Sequence, residues 1–178
     1  MTRRRTLAEF LLVTLLFGTA FPAIAVGLSV LPPLLFAAAR YYVSAAVLLA
    51  YAVVTTDYWR PRSRRDWSGV AAGGALFIGG TGFTFYGQQF TTSGVAAIIV
   101  SLVPVLTVLV GWALLPAERL SRRGALGVVV GLVGVALVVR PAPASLLDPA
   151  VLGKLSILLA AVLITLGTVL VRRVHAPM

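Results

Sequence analysis

The sequence predicts an all-α integral membrane protein with six transmembrane helices, and three observations lead there. Of 178 residues, 60% are hydrophobic and 11% charged, with a mean hydropathy of +1.01. A soluble domain carries about a quarter of its residues as charges. The apolar residues also gather into runs long enough to cross a hydrocarbon core of roughly 30 Å. Finally, the arginines sit in short clusters between those runs and form no continuous basic face, so the net charge of +10 reads as membrane orientation. Nucleic acid is not an expected partner.

The first span runs from about Leu7 to Leu28, behind Arg3, Arg4 and Arg5. A charged start before an apolar run also describes a signal peptide, and Ala23-Ile24-Ala25 has the small residues of a cleavage site. The run is long for a signal and more helices follow, so it reads as a retained helix. A turn at Ser29 to Pro33 leads to the second span, about Leu34 to Val54, interrupted by Arg40. The polar segment Asp57 to Trp67 carries four arginines, two aspartates and aromatic residues at both edges, as an interfacial belt does. The third span, about Gly69 to Gln89, is rich in glycine, and a tiny turn from Phe90 to Ser93 passes to the fourth.

The fourth span, Gly94 to Leu115, has no charge over 22 residues. The short turn Pro116 to Arg123 forces the fifth, Gly124 to Val139, to lie antiparallel beside it. A linker rich in Pro and Ala, Arg140 to Pro149, precedes the sixth, about Val151 to Val171.

Counted on alternate sides, twelve of the fifteen lysines and arginines fall with the N-terminus, and Arg140 and Lys154 fall opposite, with Arg40 inside a span. By the positive-inside rule both termini are expected in the cytoplasm. Zero cysteines exclude disulfides and thiolate chemistry, and the one histidine, His175, excludes a metal site built on several histidines within one chain. No cofactor and no metal are expected. A phosphate-binding loop needs Gly-Lys-Ser/Thr after a strand, and none occurs. No enzyme signature appears: a lipid-modifying membrane enzyme needs convergent His, Asp or Glu at one membrane face, which this chain lacks.

Three stretches carry a family likeness. They are LLFGTAFPAIAVGL in the first span, LPPLLFAAARYYVSAAVLL in the second, and TTSGVAAIIVSLVPVLTVLVGWALLPAERLSRRGALGVVVGLVGVALVV across the fourth and fifth. In their order and spacing they resemble the EamA domain of the drug/metabolite transporter superfamily, with Phe17 standing where the family usually has tryptophan. Leu166-Gly167-Thr168 echoes Phe17-Gly18-Thr19, so the sixth span resembles the start of a second copy.

The resemblance implies two five-helix repeats of inverted topology, ten helices in all. Residues 1–140 are then one five-helix repeat, and residues 141–178 a linker with the first helix of an incomplete second repeat. It implies a carrier moving a small solute, truncated or partial here, and with no organelle-targeting features in the sequence the expected location is the cytoplasmic membrane of a prokaryote. The expected partners are the lipid bilayer, a small-molecule solute, and the missing second half or further copies of the chain. The alternative is a non-transporting membrane subunit or inactive fragment that packs with a partner.

Among candidate functional residues Arg40 stands first, because an ionisable residue inside a membrane is costly and marks function by default. The competing reading has it snorkelling to the headgroups or pairing with helix carbonyls. Thr19, Pro22, Thr84, Tyr86, Ser101 and Pro104 reach a similar depth, with Gln88 and Gln89 slightly further out. These suggest an outer-half polar cavity lined by Arg40, Tyr86, Gln89 and Ser101. For each hydroxyl, ordinary interhelical hydrogen bonding competes.

Gly124, Gly127, Gly131 and Gly134 lie along one face of the fifth span, as close helix packing requires, and Gly69, Gly73, Gly80 and Gly87 do the same in the third. Glu118 and Arg119, a pair that the resemblance also marks, sit in the arginine-rich turn and suit salt bridges and turn geometry better than substrate contact. A relative in the same superfamily, the small multidrug exporter, carries a carboxylate deep in its first helix; here that depth, near Leu15, is apolar.

Overall fold

The computed structural model describes residues 3–57, 59–114, 121–139 and 148–175. They form seven helices: α1 (Arg3–Val30), α2 (Pro33–Thr55), α3 (Arg64–Gln88), α4 (Ser93–Val100), α5 (Leu102–Leu114), α6 (Arg122–Val139) and α7 (Pro149–His175), and no strand occurs among the described residues. Five segments are long and apolar enough to cross a membrane: α1, α2, α3, the joined α4–α5 and α7. The 18-residue α6 is the remaining predicted span, the fifth in chain order, ~27 Å long at 1.5 Å per residue.

The fourth span differs from the continuous helix expected of it. Pro104 has no N–H to give the Val100 carbonyl and its ring crowds that oxygen, so the ladder is interrupted and the span divides at Ser101. The other helix ends have local causes. Pro33 opens α2, where a missing N–H costs nothing. Ser63 and Asp66 form a capping box at the start of α3: the Ser63 hydroxyl accepts from the Asp66 amide at 3.0 Å, and the Asp66 carboxylate accepts from the Ser63 amide at 3.0 Å. That box starts α3 five residues before the apolar run that predicted it. Thr92 caps α4 through the Val95 amide, and Asp148 caps α7 through the Ala150 amide at 2.9 Å.

The sixth span lies at the centre of the packing. α7 runs antiparallel along the length of α3 and meets α5 and α4 on its other side. Accordingly 33% of its spanning residues are buried, against 6% of those in α1 and α2. The reason is in the side chains at the contact. Gly87 faces Gly153, Gly80 faces Ala160, and Gly73 lies by Gly167, so small residues recur every seventh position on both helices, in opposite directions. Without side chains between them the backbones approach closely, as small residues permit in membranes. The glycine row of the third span is therefore used.

One apolar cluster joins Ala96 and Ile99 of α4, Leu102 of α5, Val135 of α6 and Ile157 of α7. A second joins Ile24 of α1, Ala37 of α2 and Phe85 of α3. The hydroxyls of Thr14, Thr19 and Thr55 donate to carbonyls of their own helices, so these polar atoms need no outside partner in hydrocarbon.

Candidate functional site

The second cluster carries the polar groups of greatest interest. Phe85 is 1% exposed, held by Ile24 and Ala37, with the Phe36 ring 5.5 Å away, centroid to centroid. On that platform rests Arg40, whose guanidinium carbon lies 5.7 Å from the centre of the Phe85 ring. A cation within about 6 Å of an aromatic face is attracted by the ring quadrupole. Its neighbour Tyr41 ties α2 to α3 by donating to the Thr81 hydroxyl at 2.5 Å. Arg40 itself faces outward from the bundle, so its donors are open to a bound anion, to headgroups or to an adjoining subunit.

One turn of α3 further on, Gln88 is 4% exposed. Its amide nitrogen donates to the Phe21 carbonyl of α1 at 2.9 Å, while its carbonyl oxygen Oε1 is buried with no hydrogen-bond partner. Exchanging the two amide atoms offers no escape: two oxygens would then face each other across α1 and α3. An unmet buried acceptor costs about 1–3 kcal/mol. Among the described residues nothing donates to the Gln88 oxygen.

The other expected cavity residues are placed differently. Tyr86, Gln89 and Ser101 are all exposed. The Tyr86 ring packs edge to face with Phe90 at 5.3 Å, the Gln89 amide donates to the Tyr86 carbonyl at 3.2 Å, and the Ser101 hydroxyl donates to the Ile98 carbonyl at 2.6 Å. These contacts bring Tyr86 and Gln89 together on one turn, and the Ser101 hydroxyl is spent on a carbonyl three residues earlier in its own span. Thr84 is buried and donates to the Gly80 carbonyl at 3.1 Å.

Of the two adjacent glutamines, it is Gln88 that is turned inward, beside the buried Thr84. Its helical pattern was readable, because Gln88 shares a face with Thr84 and Phe85. Depth alone, which put Gln88 and Gln89 at one level, does not say which side of a helix a residue occupies.

In the α6 row, Gly131 meets Val105 of α5, with 3.3 Å between the place of an added Cβ and that side chain, whereas Gly127 and Gly134 face open space. Of these three glycines, Gly131 is the one that meets another helix. Glu118 and Arg119 lie outside the described residues. Among the described residues no group of three or more His, Cys, Asp or Glu side chains is placed to hold a metal ion.

Helical membrane spans with polar side chains set into their contacts define an integral membrane protein. Residues 6–140 match the EamA-like transporter family, and the chain belongs to that family. It is similar to an uncharacterized transporter, YoaV, of Bacillus subtilis (strain 168), with 26% identity over 149 residues. The match takes in 84% of this chain and 51% of the relative, so the chain spans about half the length of the curated relative it matches. No solved structure matches the chain.

Proposed function

We propose that the chain is the membrane-embedded part of a drug/metabolite-type carrier, moving a small solute across the cytoplasmic membrane of a prokaryote with both of its termini in the cytoplasm. The family supports the class, and the clustering of twelve lysines and arginines on one side supports the orientation. One observation carries the solute-binding reading: Arg40, a cation within a span, rests on the Phe85 ring at the place where α1, α2 and α3 meet. A guanidinium offers five donors in a planar fork suited to carboxylate or phosphate, so the solute class is a small organic anion.

In this reading α7 begins a second repeat, and the path is completed by further helices or by a second copy. The solute contacts are Arg40 with Tyr86, Gln89 and Ser101, together with the inward oxygen of Gln88.

The test is metabolite profiling of cells expressing the chain against cells expressing Arg40→Gln. A small anion redistributed by the wild-type chain and not by the variant supports the carrier. No solute redistributed by either sinks it.

A second reading, a membrane subunit that packs with a partner without moving solute, is favoured by the open faces of Gly127 and Gly134. The mass of the detergent-solubilised complex separates the two when read beside the profiling: an assembled complex with no redistributed solute supports the subunit.

A further inference from the structure

The seam between α3 and α7 is not uniform. At the Asp148-capped end of α7 a Cβ placed on Gly153 would fall 2.8 Å from the Gly87 carbonyl oxygen. Midway, one on Gly80 would fall 3.1 Å from the Ala160 oxygen, and towards the other end one on Gly167 would fall 3.6 Å from the Gly73 oxygen. The two backbones separate steadily, and where they part the side chains of Val171 and Leu76 border the gap, 2.5 Å and 3.1 Å from the places of an added Cβ on Gly73 and Gly167. The result is a groove of about 570 Å³ lined by Gly69, Gly73, Gly74, Phe77, Gly167 and Arg172 among others. Thr168, which also lines it, donates its hydroxyl to the Ile164 carbonyl at 2.8 Å, so it presents no unmet donor to the groove.

We propose that this groove seats one acyl chain of an anionic phospholipid, whose phosphate lies against Arg172. The chemistry is divided along its length. From Gly69 to Phe77 the wall is ~12 Å of apolar helix at 1.5 Å per residue, and hydrocarbon covers it without leaving polar groups dry. At its mouth stands Arg172, followed in sequence by Arg173, with Arg64 and Arg65 on the first turn of α3.

Basic pockets between spanning helices recognise anionic headgroups, and each surface arginine adds about 1 kcal/mol of attraction to an anionic leaflet. A second copy of the chain docked two-fold on this groove would set the same arginines against each other. Like charges juxtaposed across an interface select against such a partner.

The test is native mass spectrometry of the full chain in detergent, supplied with phosphatidylglycerol or with phosphatidylcholine of the same acyl length. Phosphatidylglycerol is expected to be retained at one per chain and preferred over phosphatidylcholine. In Arg172→Gln with Arg173→Gln, that preference falls about fivefold per arginine removed.

Gly74→Leu fills the groove where an added Cβ meets nothing within 4 Å, and is expected to lower retention of both lipids with an unchanged melting temperature. Equal retention of the two lipids by the wild-type chain overturns the headgroup contact. Retention that survives Gly74→Leu overturns the groove as the seat. A loss of dimer mass in Gly74→Leu, with lipid retention unchanged, makes the groove a contact between chains and overturns the lipid.

Discussion

Gly87 of α3 and Gly153 of α7 meet backbone to backbone: a Cβ on Gly87 would collide with the Gly153 carbonyl oxygen, and one on Gly153 would lie 2.8 Å from the Gly87 oxygen. The atoms in the way are main chain, which moves only by parting the helices. Gly87→Ala and Gly153→Ala are each expected to destabilise the protein by about 1–3 kcal/mol, the usual range for overpacking. Thermal unfolding in detergent measures this. A melting temperature equal to wild type for both would show that α3 and α7 do not touch there.

The α6 glycines give the opposite expectation. Gly127 and Gly134 have nothing within 4 Å of an added Cβ, and replacing a mid-helix glycine by alanine favours the helix by about 0.8–1 kcal/mol. For the isolated chain, Gly127→Ala and Gly134→Ala are expected to leave the melting temperature unchanged or raise it. If the chain assembles through that face, the same variants lower the mass of the assembly, so unfolding and mass read together locate the partner surface.

How much of this was legible in the sequence depends on the kind of information each feature needs. The spans were, since length and apolarity alone set them, and the early start of α3 was missed only because its cap, Ser63 with Asp66, lies outside the apolar run. The row Gly73, Gly80 and Gly87 was visible as a packing surface, but its partner was not. Gly153, Ala160 and Gly167 complement it across the chain, and pairing two rows requires knowing which helices are neighbours.

The site was less legible. Arg40 announced itself as a charge in an apolar run, while its seat on Phe85 is a contact between helices. Depth along a helix is a count of residues, whereas burial depends on the facing helix. That is why Gln88 is covered and Gln89 is not.

Gln88 offers a prediction that distinguishes packing from binding. Leucine in its place removes the bond to the Phe21 carbonyl and also the unmet oxygen, two changes of opposite sign. Gln88→Leu is expected to hold stability within about 1 kcal/mol of wild type. If Gln88 receives a donor from the solute, the variant loses transport despite that stability. A large drop in melting temperature would instead make Gln88 a structural tie between α1 and α3.

Arg40 and Phe85 separate the charge from its platform. Phe85→Leu shortens a core side chain that is 1% exposed and removes the ring beneath the guanidinium. It is expected to cost more stability than Arg40→Gln, because Arg40 lies exposed and a cation–π contact at such a site contributes only about 0.5–1 kcal/mol. Transport is expected to rank in the other order. Arg40→Gln abolishes it with little change in unfolding, Arg40→Lys keeps the charge without the planar fork and retains part of it, and Phe85→Leu weakens it by loosening the seat of Arg40. Uptake or efflux of the solute found by metabolite profiling, set beside the melting temperature of each variant, checks the ranking. Full transport in Arg40→Gln would remove Arg40 from the solute path and leave it as a lipid-facing cation whose interactions end at Phe85 and the headgroups.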